Sequence, residues 1–149
     1  MRHTAYHTLG RIPLGSTGST ESTGSIGVED LVEGQSLGPL ELSVSAPGNE
    51  RYWASAGVDH PLLRDGVLYP PIAANLTILL TQTVVERQML HAAQRLRCLG
   101  LARVDETLTV TGRVARRYQK RGRTYVDVEA EVANPGGAVW ESFATFTAA

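Results

Sequence analysis

The sequence predicts an α+β domain in which one long apolar helix packs against one face of a curved antiparallel sheet. Three observations predict it. Residues Ile72 to Val85 read Ile-Ala-Ala-Asn-Leu-Thr-Ile-Leu-Leu-Thr-Gln-Thr-Val-Val. That run is apolar on nearly every face, and a helix hydrophobic all round is one wrapped by other structure. Further on, Arg123 to Val132 alternates strictly, with Val126, Val128, Ala130 and Val132 on one face and Tyr125, Asp127, Glu129 and Glu131 on the other. Two turn signals, Lys120-Arg121-Gly122-Arg123 and Asn134-Pro135-Gly136-Gly137, fold this region into a meander. Antiparallel strands with a single apolar face suit a sheet covered on one side only. The apolar helix is the element available to cover it.

Composition narrows the class. At 149 residues the chain fits one domain with a core that needs no staples. Fourteen basic and fifteen acidic residues leave a net charge of −1, so no global field points to nucleic acid or to a membrane surface. A single cysteine, Cys98, excludes an intrachain disulfide and fits a reducing cytoplasm. The Met1 end has no charged-then-apolar leader. The longest apolar run contains Asn75, Thr77, Thr81, Gln82 and Thr83 and falls short of the roughly 20 apolar residues of a membrane span. The expectation is a cytoplasmic protein that neither binds nucleic acid nor enters a membrane.

Taken in order, residues 1–25 read as a flexible tail, because Gly15 to Ser25 is Gly, Ser and Thr with Glu21 and has no apolar periodicity to bury. His3 and His7 lie there, spaced for a metal only if the tail were helical. The domain then covers 26–149. Val28 to Val32 suggests a short helical turn, and Leu40 to Ser45 alternates as a half-buried strand. Pro47-Gly48-Asn49 reads as a turn. Glu50 to Ala56 follows as a short helix burying Tyr52, Trp53 and Ala56, stopped by Gly57. Pro70 and Pro71 suit the first turn of the central helix, which is expected to run to about Met89. Leu90 to Leu99 reads as a strand with Leu90, Ala92, Leu96 and Cys98 inward, leaving His91 and Gln94 partly exposed. Leu108, Val110 and Val114 share a face of the next strand. Val139 to Thr147, with Trp140, Phe143 and Phe146, closes the meander.

This order of elements resembles the hot-dog fold, and within it the MaoC-like hydratase and dehydratase group. The residues carrying the resemblance are Tyr52 to Gly57, the His60-Pro61 step, and Gly66-Val67-Leu68-Tyr69-Pro70-Pro71 leading into the helix. Asp105 to Gly112, Arg121 to Val128 and the Asn134 to Gly137 turn complete it. The resemblance implies a single hot-dog domain acting on acyl thioesters of coenzyme A or a carrier protein. No other cofactor and no metal is implied. It also implies pairing, as a homodimer or a hot-dog heterodimer, with two sheets joined edge to edge and the helices on one side.

Active members of the group carry Gly-Asp-x-Asn-Pro-x-His in the loop before the helix, with Asp and His bracketing the water added to or removed from the β-carbon. Proton transfer needs both groups within about 3 Å of the transferred atoms. Free N–H groups at the helix start would polarise the thioester carbonyl. Laid on this chain from Gly57 to Leu63, the motif's Asp falls on Val58, its Asn on His60, its Pro on Pro61 and its His on Leu63. Valine and leucine transfer no protons.

Three readings stay open at this point. Asp59 and His60 stand in for the dyad, with Asp65 as a further partner, giving a (3R)-hydroxyacyl or enoyl thioester hydratase or dehydratase, a lyase. Alternatively, the chain is a non-catalytic hot-dog subunit that binds a thioester or completes a pair, resembling the degenerate halves of double hot-dog dehydratases. In the third reading the loop is purely structural. An acyl thioesterase with Asp65 activating water is a weaker alternative. Tyr69, Pro70, Asn75 and Gly66 are the candidate substrate-binding residues. The basic run Arg113, Arg116, Arg117, Lys120, Arg121 and Arg123 reads first as a solvated hairpin.

Overall fold

The computed structural model describes residues 24–57 and 59–149. The expectation of a tail, with His3 and His7, falls almost wholly on residues outside that range, as does Val58. A 3-10 turn at Val28–Asp30 comes first. It is followed by β1 (Ser36–Leu42), α1 (Ala46–Ser55), α2 (Pro61–Arg64), α3 (Ile72–Gln82), β2 (Met89–Cys98), β3 (Leu108–Lys120), β4 (Arg123–Asn134) and β5 (Gly137–Ala148). The strands form one five-stranded sheet in the order β1-β3-β4-β5-β2, antiparallel throughout. Helix α3 lies across its apolar face, so the expected α+β arrangement is the observed one.

The core sits between that face and α3. Leu108, Val110 and Val114 of β3 and Val126, Val128 and Val132 of β4 are fully buried, as the period-2 pattern requires. Trp140, Ala144 and Phe146 of β5 join them against Ile72, Ala73, Leu76 and Leu80 of α3. Two glycines set how closely α3 approaches. A Cβ at Gly38 would lie 2.7 Å from the Val110 carbonyl oxygen and 2.9 Å from Leu80 Cδ1, and one at Gly112 would lie 2.9 Å from Leu80 Cδ2. Leu80 therefore seats in a notch that only glycine leaves open. At the β3–β4 turn, Arg121 and Gly122 have φ of 51° and 75°, the two positive angles of a tight hairpin.

Several boundaries differ from expectation, each for a local reason. Helix α3 ends at Gln82, not near Met89. The Thr81 and Thr83 hydroxyls donate back to the carbonyls of Thr77 and Leu80, and such local bonds compete with helix continuation. Val85 then leaves the helix to bury in the core. Pro71 is the N-cap of α3, so both prolines precede the helix instead of forming its first turn. Helix α1 starts at Ala46, with Pro47, Gly48 and Asn49 inside it, because the Ser45 hydroxyl accepts the Gly48 N–H and a proline early in the helix lacks only an orphan donor. Its buried residues are Asn49 and Trp53, while Tyr52 is half-buried and Ala56 exposed. Strand β1 begins at Ser36 and runs through Gly38-Pro39 with a register shift between Leu37 and Leu40.

Strand β2 is present, but its inward residues are not those expected. Leu90 is 45% exposed, and Ala92 and Cys98 are exposed as well, which leaves only Leu96 of the four packed on the core. For Leu90 and Ala92 the cause is a register shift between His91 and Ala93. An extra residue in one strand moves the following side chains to the other face. His91 before the bulge and Gln94 and Leu96 after it therefore share the side facing α3. Among the described residues, no helix is long and apolar enough to cross a membrane.

Candidate functional site

The corner where α1 meets the segment leading into α3 is built by side chains of α1. Asn49 is 1% exposed, and its amide nitrogen donates to the Val67 carbonyl at 2.8 Å while its oxygen accepts the Tyr69 N–H at 3.0 Å. Trp53 Nε1 donates to the same Val67 carbonyl at 3.1 Å. The loop ahead of α3 is thus pinned from one side by a buried amide and an indole. From the other side, Leu68 N–H donates to Ala102 O at 2.8 Å, and Val67 bridges Arg103. The start of α3 therefore lies beside the segment that leaves the C-terminal end of β2.

The candidate residues occupy this corner in separate ways. The Asp59 carboxylate faces Arg64 at 3.6 Å with both side chains largely in solvent (81% and 76% exposed). His60 Nδ1 accepts the Leu62 N–H at 3.2 Å and caps α2, and its ring stacks on Trp53 with centroids 5.7 Å apart. The Asp65 carbonyl accepts Arg103 Nη1 at 2.6 Å, and Asp65 itself is exposed. Among the described residues, no hydrogen bond or ion pair joins Asp59, His60 and Asp65 to one another. Gly66 has φ +71°, a left-handed angle that turns the chain into the Val67 bridge. Leu63, where the motif's histidine would fall, is half-buried.

Tyr69 stands edge-on to Trp53, with centroids 5.1 Å apart, and is half-buried with Pro70. Asn75, in the first turn of α3, donates from Nδ2 to the Tyr52 hydroxyl at 3.2 Å. The first N–H groups of α3 are already engaged: those of Ile72, Ala73 and Ala74 donate to the carbonyls of Tyr69, Pro70 and Pro71 at 3.0–3.1 Å. The expectation that they stand free for a thioester carbonyl does not hold. Near the helix start, the half-buried Tyr52 and Asn75 side chains are bonded to each other. A tyrosine hydroxyl that accepts from an amide has its own proton available for another acceptor.

Sequence reasoning named Tyr69, Pro70 and Asn75 and missed Asn49. The signal was there: Asn49 and Trp53 are four apart on one helical face, and a polar residue on a buried stripe needs partners. Among the described residues, no three His, Cys, Asp or Glu side chains gather as a metal site would require.

No protein-family model and no curated protein matches this sequence. Solved structures do match in three dimensions. The R-hydratase PhaJ1 from Pseudomonas aeruginosa superposes with a TM-score of 0.69 at 19% identity, covering 83% of this chain and 86% of that one. The C-terminally truncated HadBC (3R-hydroxyacyl-ACP dehydratase) complex from Mycobacterium tuberculosis gives 0.68 at 15% identity, covering 80% and 99%. A MaoC-like dehydratase from Rhodospirillum rubrum gives 0.62 at 17% identity, covering 83% and 97%. The strand order, the helix seated on one face of the sheet and these superpositions agree: the chain has the hot-dog fold in the form seen in MaoC-like dehydratases and R-hydratases.

Proposed function

We propose that this protein binds an acyl thioester, of coenzyme A or a carrier protein, at the corner formed by α1 and the start of α3. It does so as one half of a hot-dog pair, in the hydratase and dehydratase class, and its loop supplies no acid–base pair. One observation carries this reading: His60 caps the loop's own turn and Asp59 stands in solvent. The carboxylate faces Arg64 in solvent and the imidazole Nδ1 caps α2, whereas a proton-transfer pair must converge on one substrate atom. Tyr69, Pro70, Asn75 and Gly66, with Tyr52 beside Asn75, are the residues proposed to line the site. Among the described residues the outer edge of β2, ten residues long, has no strand beside it, which supports pairing, since an unpaired edge is a template for another strand. The other sheet edge is poorly suited to that role. Pro39 in β1 has no N–H to offer, and the register shift beside it breaks the ladder.

Calorimetric titration of the purified protein with butyryl-coenzyme A tests this. Saturable binding is expected, and Asp59→Asn and His60→Ala should leave the affinity within about threefold, under 0.7 kcal/mol. Tyr52→Phe and Asn75→Leu should each weaken binding about tenfold, the scale of one hydrogen bond to a ligand. Absence of binding by the wild-type chain would overturn the proposal.

A further inference from the structure

A chain of polar side chains runs from the middle of α3 to the open edge of the sheet. Thr77 on α3 and Ser142 on β5 are both fully buried, and their hydroxyl oxygens lie 2.5 Å apart. Ser142 Oγ also lies 2.7 Å from Gln94 Nε2 on β2, and Gln94 Oε1 lies 2.9 Å from His91 Nε2. The direction of every bond can be deduced. Thr77 Oγ1 is 2.9 Å from the Ala73 carbonyl, which only accepts, so the Thr77 proton is committed there. The bond between Thr77 and Ser142 must then use the Ser142 proton. Ser142 is left to accept from Gln94. The Gln94 amide cannot be the other way round, because its nitrogen also lies 3.2 Å from the Arg95 carbonyl. Gln94 Oε1 therefore faces His91 and requires a proton on Nε2. The neutral imidazole is held as the Nε2–H tautomer, with Nδ1 as its basic atom.

The bulge in β2 makes this possible. Without the register shift between His91 and Ala93, His91 and Gln94 would lie on opposite faces. Bulges re-aim side chains in this way and concentrate beside active sites. The ring is fixed further by Phe146, with centroids 5.3 Å apart.

His91 lies at the far end of β2 from the α3 corner of its own chain. The start of α3 lies beside residues 102 and 103, past the C-terminal end of β2, and His91 is roughly 20 Å back along the strand. A second copy removes that distance. Continuing the all-antiparallel sheet across a two-fold axis pairs β2 with its mate head to tail, with both copies of α3 on one side. The His91 end of each strand then meets the Cys98 end of the other, beside the other chain's α3 corner.

We infer that His91 is the catalytic base of this protein, contributed across the paired β2 edges to the thioester site of a second copy and set in its tautomer by Gln94. The inference rests on the proposed thioester-binding reading and supplies the proton acceptor that the loop lacks. In hydration of an enoyl thioester, water's oxygen bonds to the β-carbon while His91 Nδ1 takes its proton. The double-bond electrons move onto the α-carbon and the thioester carbonyl. The imidazolium then returns the proton to the α-carbon, so H and OH are added and no co-reactant is needed. Gln94 is a positioning residue.

Turnover of crotonyl-coenzyme A tests the inference. His91→Gln should lower kcat at least a hundredfold, and Gln94→Leu should lower kcat about tenfold with KM unchanged. The decisive arm mixes subunits. Assayed well below KM, His91→Gln and Asn75→Leu chains, at about a hundredth and about a tenth of the wild-type rate alone, should reach about a quarter of it on mixing, because half the dimers are mixed and each of those has one intact site. A chain that failed to fold would restore nothing, so recovery also shows that both variants fold. Wild-type kcat in His91→Gln, or no recovery on mixing, overturns the inference. So does a wild-type protein that binds butyryl-coenzyme A but does not hydrate crotonyl-coenzyme A, an outcome that leaves the binding proposal standing. Loss of wild-type binding would defeat the binding proposal and this inference together.

Discussion

The loop before α3 and the first half of β2 each carry a histidine, and the two are held in opposite ways. His60 turns its accepting nitrogen inward to the Leu62 N–H and lays its ring on Trp53. His91 turns its donating nitrogen inward to Gln94, and the chain behind it ends on a helix carbonyl. One imidazole completes a local turn. The other ends a relay that begins in the core and presents a basic atom at an open edge. A histidine's chemistry is set by which nitrogen its neighbours occupy, so position in a recognisable loop is a poor guide to which histidine acts.

The predictions press on this contrast, beginning with the largest effect. Asn49→Ala strips two bonds from the buried corner and leaves the Tyr69 N–H unmet, so it should cost about 3 kcal/mol in chemical denaturation. If it costs under about 1 kcal/mol, the corner is not the rigid frame described here. Thr77→Val removes the helix end of the relay while keeping its volume. It should cost about 1–2 kcal/mol, whereas Gln94→Leu, which removes the ring's own partner, should free the His91 ring to change tautomer, visible as a shift of its imidazole nitrogen resonances. Unchanged resonances would mean that the relay does not reach the edge. His60→Ala removes a cap and a ring contact at an exposed turn and should cost about 1 kcal/mol or less. A larger loss would make His60 more than a local brace.

The smallest effect lies outside the contrast and acts as its control. The Gly27 N–H hydrogen-bonded to the Asp30 carboxylate lowers that group's pKa in the folded state, with the Arg87 guanidinium adding to it. A depressed carboxylate stabilises the fold above its unfolded pKa, and the contribution is lost as pH falls through the folded value. Asp30→Asn should therefore lower Tm slightly at neutral pH, with the difference closing in acid. A difference that persists in acid would point to a packing cause instead.

How much of this was legible in the sequence depends on what fixes each feature. The faces of β3 and β4 could be read because burial acts directly on a period-2 pattern: Val126, Val128 and Val132 had nowhere else to point. Helix α3 was visible for the same reason, but its end was not, because Thr81 and Thr83 stop it by bonding to their own backbone. Pro47 to Asn49 has turn composition and folds as the start of α1, since Ser45 supplies the cap. The β2 bulge left no mark in the residues; it shows only in the pairing with β5. Losing it inverted Leu90 and Ala92 and hid the alignment of His91 with Gln94. Tyr69 and Asn75 stand out by residue type, and their role in binding belongs to the proposal. Asn49 could have been found four residues before Trp53. The contrasting roles of His60 and His91 required coordinates, because a tautomer is decided by neighbours distant in sequence.

The most direct measurement of the central claim is the rate of crotonyl-coenzyme A hydration by the Asp59→Asn/His60→Ala double variant beside the wild type. The account predicts a kcat within about threefold of wild type, a barrier change under about 1 kcal/mol. A loss of a hundredfold or more, with acyl-coenzyme A still bound, would contradict it by placing the acid–base chemistry back in the loop.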